Sequence, residues 1–293
     1  MKELCLGSAM WGWSVSEQNI FSILDCFYAR GFRFVDVAWN YPINGRESDL
    51  SLAPRLLSKW IEKREVEDLK VIFKAGAKDN SGENGNDLGR ENLYSQFEQA
   101  LNWFGSNLFS FMIHWDNRKD TLQIEETVKF LGCLKEYGIL PGLSGVADVD
   151  LYSGLLEGVE SDLLIQCKHS FIESHISRYE AFLHNGARIF AYGVSGSGLK
   201  LSSSEYREDS YVSLVREPGF HDRMLSDSKR RALERVLGSN SGLRNLYHVG
   251  IAYAMQEPRL SGLIISPTNV DQLTDSLDFF EVCKTTSFDL EGI

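Results

Sequence analysis

The chain has 293 residues, 43% of them hydrophobic and 24% charged, which is enough apolar material for one large core or two small ones. A net charge of −11 argues against the clustered basic face that a nucleic-acid binder needs. Five cysteines (Cys5, Cys26, Cys133, Cys167, Cys283), odd in number and without a CxxC pair, fit reduced thiols better than a disulfide framework or a zinc site.

Apolar runs of strand length alternate with longer stretches of helical period from the start of the chain. Residues 3–7 read as the first strand, although Lys2 and the run from Leu4 to Met10 faintly resemble a signal peptide that Glu3 interrupts. Residues 16–31 then form a helical pattern that opens on a Ser cap and closes on Gly31. Residues 33–37 are the second strand and 48–62 the second helix, with Pro54 near its start, where a missing N–H is tolerated. The third strand covers 69–75, and a polar, Gly- and Asn-rich loop from 78 to 89 precedes a helix at 90–104. The fourth unit pairs a strand at 108–114 with a helix at 124–137 that ends on Gly138.

Strands at 139–144, 163–167 and 188–192 follow, with helices at 150–160 and 177–185 between them. An irregular segment from 193 to 226 carries Ser195-Gly196-Ser197-Gly198 and a run of serines and charges. Helical patterns at 229–237 and 243–256, a strand at 260–265 and a helix at 269–281 complete the chain. Continuous apolar strands, each followed by an amphipathic helix, imply a parallel sheet covered on its outside. Eight such units and no linker-like break in composition point to a single-domain α/β fold, a (β/α)8 TIM barrel spanning residues 1–293. The alternative is an open doubly wound sheet, weakened because no GxGxxG follows the first strand. No apolar run reaches the ~20 residues that cross a bilayer, so the expected location is cytoplasmic, with no membrane and no nucleic-acid partner.

Sites in such barrels are built at the C-terminal ends of the strands. Asp36, Lys74 and His114 stand at the ends of the second, third and fourth strands, and Tyr41 opens the loop after the second. Each alone reads more simply as a capping or solvated rim residue; together they make a proton-transfer set. A free tyrosine, with a pKa of about 10, is a poor acid at neutral pH. A neighbouring ammonium favours its phenolate and eases proton exchange with a substrate oxygen, while a carboxylate keeps that ammonium charged. A histidine beside them can donate to the same oxygen. The set has no nucleophile and no metal cage, which suits carbonyl reduction by an external hydride donor.

These stretches resemble the aldo-keto reductases over nearly the whole chain. The run from Leu6 to Gly12 is similar to the family's opening LGTMTWG-type strand, and 31–41 resembles GxxxxDTAxxY, with Asp36 and Tyr41 at its catalytic positions. Ser48-Asp49 with Leu52-Ala53 resembles SExxLG, and Lys74 and His114 fall where the family has its Lys and His. The resemblance implies NADP(H) or NAD(H) as cofactor and a small-molecule carbonyl substrate. It also implies that Ser144 and Gln166 hold the nicotinamide amide, that Tyr192 stacks on the ring, and that the turn carrying Gly193, Ser195 and Ser197 receives the pyrophosphate. Gly145 replaces the Asn of GxSN. At the adenosine end, Ser266 and Gln272 stand at positions where the family has Lys or Arg, and Asp275-Ser276 replaces Glu-Asn. Losing a bidentate guanidinium weakens any preference for NADP(H), unless Lys200 or Arg207 supplies the charge. Trp11, Trp13, Trp39 and Trp115 are candidates for an aromatic substrate pocket, and equally for loop packing. Two alternatives stay open: a nucleotide- or metabolite-binding protein with little turnover, and a cofactor-independent lyase or isomerase using Lys74 as a Schiff-base amine.

Overall fold

The computed structural model describes residues 1–81, 85–156, 163–184, 186–208, 210–217 and 219–293. Its eight strands are β1 (Glu3–Gly7), β2 (Phe34–Ala38), β3 (Lys70–Ala75), β4 (Leu108–Asp116), β5 (Leu140–Val146), β6 (Leu164–Lys168), β7 (Arg188–Tyr192) and β8 (Gly262–Ile265). They pair in parallel in chain order, and β8 returns to β1 with Leu4 opposite Leu263, so the sheet is a closed barrel. The open sheet weighed above is thereby excluded.

The helices among the described residues are α1 (Glu17–Ala29), α2 (Leu52–Arg64), α3 (Arg90–Phe104), α4 (Thr121–Cys133), α5 (Val149–Leu155), α6 (Glu180–His184), α7 (Tyr211–Val215), α8 (Phe220–Met224), α9 (Asp227–Ser239), α10 (Leu246–Gln256) and α11 (Val270–Cys283). Ser16 caps α1 by accepting from the Asn19 amide, and Gly31, at φ +86°, takes the left-handed turn that follows it. Pro54 lies in the first turn of α2. The helix expected at 124–137 starts earlier, where the Asp120 carboxylate accepts from the amides of Leu122 and Gln123, and its last four residues tighten into a 3₁₀ turn. The expected ends of two helices, at 157–160 and at Asn185, lie outside the described residues. The segment 193–226, expected to be irregular, contains α7 and α8. Ser210 caps α7, and α8 seats His221 on the Lys200 carbonyl.

Strand alternation divides the core into two parts. Side chains facing outward, among them Val35, Phe73, Ile113, Ile165 and Leu263, pack against the helices in one large cluster. Cys5, Phe34, Ile72, Met112, Leu164, Phe190 and Ile264 face inward and form a separate cluster that plugs the barrel. On β5 the inward position is Gly142, where a Cβ would lie 2.5 Å from Met112 Cγ and 2.8 Å from the Leu164 carbonyl oxygen. The glycine leaves room for Met112 of the adjacent strand to lie over β5. Two residues further along those strands the inward side chains turn polar: Asp36, Lys74, His114, Gln166, Tyr192 and Ser266. The apolar plug is the floor of that polar layer.

Candidate active site

The strands do not end quite where the residue pattern suggests. Asp36 and Lys74 each have further strand residues after them, and β4 continues past His114 to Asp116. All three still face the mouth of the barrel, because alternation rather than strand termination sets their direction. β4 is anchored beyond His114 by the buried Asp116. Its carboxylate accepts from Arg118 Nε (2.9 Å), Arg118 Nη2 (2.7 Å), the Arg118 amide (2.9 Å) and the Tyr152 hydroxyl (2.7 Å).

Lys74 is the hub of the site. Its Nζ donates to Asp36 Oδ2 at 2.6 Å and to Gln166 Oε1 at 3.3 Å, while Gln166 Nε2 donates to Asp36 Oδ1 at 2.7 Å. The same ammonium lies 4.9 Å from the ring centroid of Tyr41, close enough for the two groups to act on each other. Burial works to discharge Lys74, but the charges and hydrogen bonds of Asp36 and Tyr41 outweigh it and the pKa is raised. The lysine is therefore held as an ammonium. The rings of Tyr41 and His114 meet edge to face, with centroids 5.6 Å apart. Burial first, and the Lys74 charge second, push the pKa of His114 well below 6.5, so its imidazole is neutral. The four groups read from the sequence are brought together.

The aromatic candidates separate. Trp11 is buried in the outer core and Trp39 stacks on Trp103, with centroids 5.9 Å apart, while Trp13 is partly buried against the same core. Trp115 lies against the site, tilted over His114 with ring centroids 4.0 Å apart.

At the expected nicotinamide end, Ser144 is buried, with its carbonyl accepting from the Tyr179 hydroxyl at 2.8 Å. Gly145 lies opposite Trp115 in the ladder, and a Cβ there would stand 3.3 Å from Trp115 Cβ. The amide of Gln166 is already shared between Asp36 and Lys74. Tyr192 keeps 38% of its surface open at the mouth, yet burial of its phenol raises the pKa to about 12. The turn after β7 is tight, with φ of +67° at Gly193, +66° at Gly196, +62° at Ser197 and +84° at Gly198. Ser195 Oγ accepts from the Gly198 amide.

At the expected adenosine end, Ser266 faces Gly7, where a Cβ would come within 2.6 Å of its Oγ. Gln272 folds back to accept from the Thr268 amide (3.0 Å) and hydroxyl (3.1 Å), and Ser276 donates to the Gln272 carbonyl. Asp275 is ion-paired with Arg244 and bonded to His248 Nε2 at 2.9 Å. Lys200 lies over the Tyr247 ring at 4.9 Å, and Arg207 is exposed on the loop. Arg244 escaped the sequence reading because its partner is 31 positions away. Lys168 also escaped it, although alternation from Gln166 places it inward at the mouth. A cleft of about 310 Å³ between α10, α11 and the chain end, lined by Met255, Cys283 and Phe288 among others, touches none of these groups.

The structure thus shows a closed parallel barrel whose mouth carries a lysine-centred cluster of titratable groups. The family model described as "Aldo/keto reductase family" matches residues 3–291, so the chain belongs to that family, whose members in general reduce carbonyl compounds with NAD(P)H. A comparison with curated proteins finds no match. No helix among the described residues is long and apolar enough to cross a membrane.

Proposed function

We propose that the protein reduces the carbonyl of a small aldehyde, ketone or keto-sugar with NADPH or NADH, with Tyr41 as the general acid. The observation that carries this reading is the Lys74 ammonium, bonded to Asp36 and Gln166 and placed against the Tyr41 ring. Asp36 keeps the lysine charged, and that charge favours the phenolate left when Tyr41 gives its proton to the carbonyl oxygen. His114, neutral at physiological pH, can donate a hydrogen bond to the same oxygen and orient it. Ser144, Gln166, Tyr192 and the turn 193–198 are the groups that would hold the dinucleotide. Small residues in that turn leave its backbone open to a phosphate. When bound, the nicotinamide supplies the hydride that the carbonyl carbon receives.

Tyr41→Phe tests the assignment. Turnover across a panel of carbonyl compounds should fall by about 10²–10⁴, while quenching of tryptophan fluorescence by NADPH or NADH stays as in the wild type. Unchanged turnover would sink the reading. A second reading, a nucleotide-binding protein with little turnover, draws on Asp275, whose carboxylate is already engaged by Arg244 and His248. Tight dinucleotide binding with no oxidation of NAD(P)H over the whole panel would select it. The Schiff-base alternative needs a neutral amine, and the raised pKa of Lys74 works against it.

A further inference from the structure

Beside the proton-transfer set lies a second charged cluster that the mechanism does not use. Lys168 is two residues beyond Gln166 on β6 and pairs in the ladder with Tyr192. Alternation therefore turns its side chain toward the barrel mouth. Its stem runs beside the turn after β7, with Cγ 3.8 Å from where a Cβ on Gly193 would be. The Lys168 side chain is 26% exposed, and its Nζ is held by Glu173 Oε2 at 2.5 Å. The other oxygen of Glu173 bonds His175 Nε2 at 2.6 Å, in a loop closed by the His175 amide on the Lys168 carbonyl. Glu173 also acts weakly on the Tyr192 phenol, the ladder partner of Lys168. One carboxylate is thus shared between two nitrogen donors, and one of those donors is a mouth-facing lysine beside a glycine-rich turn.

We propose that Lys168 is an anion anchor of the site. It takes an oxygen of a phosphate or carboxylate carried by the bound cofactor or substrate, and Glu173 occupies the place of that anion until it yields to it and remains on His175. The reductase reading bears only on which molecule carries the anion; the anchor itself rests on the cluster.

The anchor predicts opposite effects from its two partners. Calorimetric titration of wild type, Lys168→Met, Lys168→Arg and Glu173→Gln with sodium pyrophosphate, NADPH and NADH should show Lys168→Met weaker by about tenfold. Glu173→Gln should bind about threefold more tightly, since it removes a competing ion pair, and Lys168→Arg should stay near wild type. A cofactor diphosphate as the source predicts these shifts for pyrophosphate and both dinucleotides. A substrate anion as the source predicts that Lys168→Met loses kcat/KM on succinic semialdehyde and keeps it on uncharged butanal. Equal binding of every probe by all variants together with an unchanged kcat/KM of Lys168→Met on succinic semialdehyde, or weakening of binding by both Lys168→Met and Glu173→Gln, would overturn the anchor. Lys168-dependent binding of pyrophosphate with no dinucleotide binding and no aldehyde turnover would instead overturn the reductase reading and leave the anchor standing.

Discussion

At the scale of single residues, a buried lysine and a half-buried histidine beside each other have opposite fates. Lys74 keeps its proton because Asp36 and Tyr41 together outweigh the cost of burial, whereas His114 meets burial and the Lys74 charge and loses its own. The second case makes stability depend on pH. Below about 6.5 the unfolded chain protonates this histidine while the folded chain refuses the proton. The contribution of a neutral His114 is therefore complete above about pH 6.5 and is lost as pH falls toward the depressed folded value, at up to about 1.4 kcal/mol per pH unit. His114→Gln keeps an amide donor and cannot titrate. Its melting temperature should fall less than that of the wild type between about pH 7.5 and 5, and parallel curves would show that another group governs the slope. The convergence of Asp36, Tyr41, Lys74 and His114 was legible in the sequence because each follows an apolar run closely. The pairing of Arg244 with Asp275 was not, since a loop residue before α10 and a residue of α11, 31 positions apart, leave no local pattern.

At the scale of elements, the strands were legible because inward and outward faces of a closed parallel barrel are both apolar, which makes each strand a continuous run. The helices α7 and α8 were hidden in a stretch of serines and charges with little helical periodicity. Their short turns are held by the Ser210 cap and by His221 on the Lys200 carbonyl. The same segment begins with the turn 193–198, and its position depends on α10. A Cβ on Gly250 would lie 2.4 Å from the Val194 carbonyl oxygen and 2.9 Å from the Ser195 Cα, and backbone atoms there cannot rotate away. Gly250→Ala should therefore cost about 1–3 kcal/mol of stability and displace the start of the turn from α10. On the reductase reading, dinucleotide affinity should drop in the same variant. Binding at wild-type strength in a Gly250→Ala protein of lowered melting temperature would separate the turn from the cofactor.

At the scale of the whole molecule, the barrel makes a site by changing polarity once along its axis. The plug of Phe34, Ile72, Met112, Leu164, Phe190 and their neighbours excludes water from below, and the polar layer begins directly above it. Phe190 joins the two levels. It is 1% exposed, meets the Phe34 ring at 5.5 Å, lies opposite Gln166 in the ladder and is two residues before Tyr192. Gly262 gives its ring space, since a Cβ there would lie 2.8 Å from it. Phe190→Ala should cost about 3–5 kcal/mol and, by opening a cavity under Gln166, loosen the amide that bridges Asp36 and Lys74. Phe182, fully buried in the outer core on α6, is the matched control. Phe182→Ala should cost a similar amount of stability without disturbing the polar layer. At a temperature where both variants remain folded, carbonyl turnover should fall in Phe190→Ala and hold in Phe182→Ala. Equal loss in the two would mean that the floor of the barrel contributes stability alone, and that the polar layer is positioned by its own hydrogen bonds.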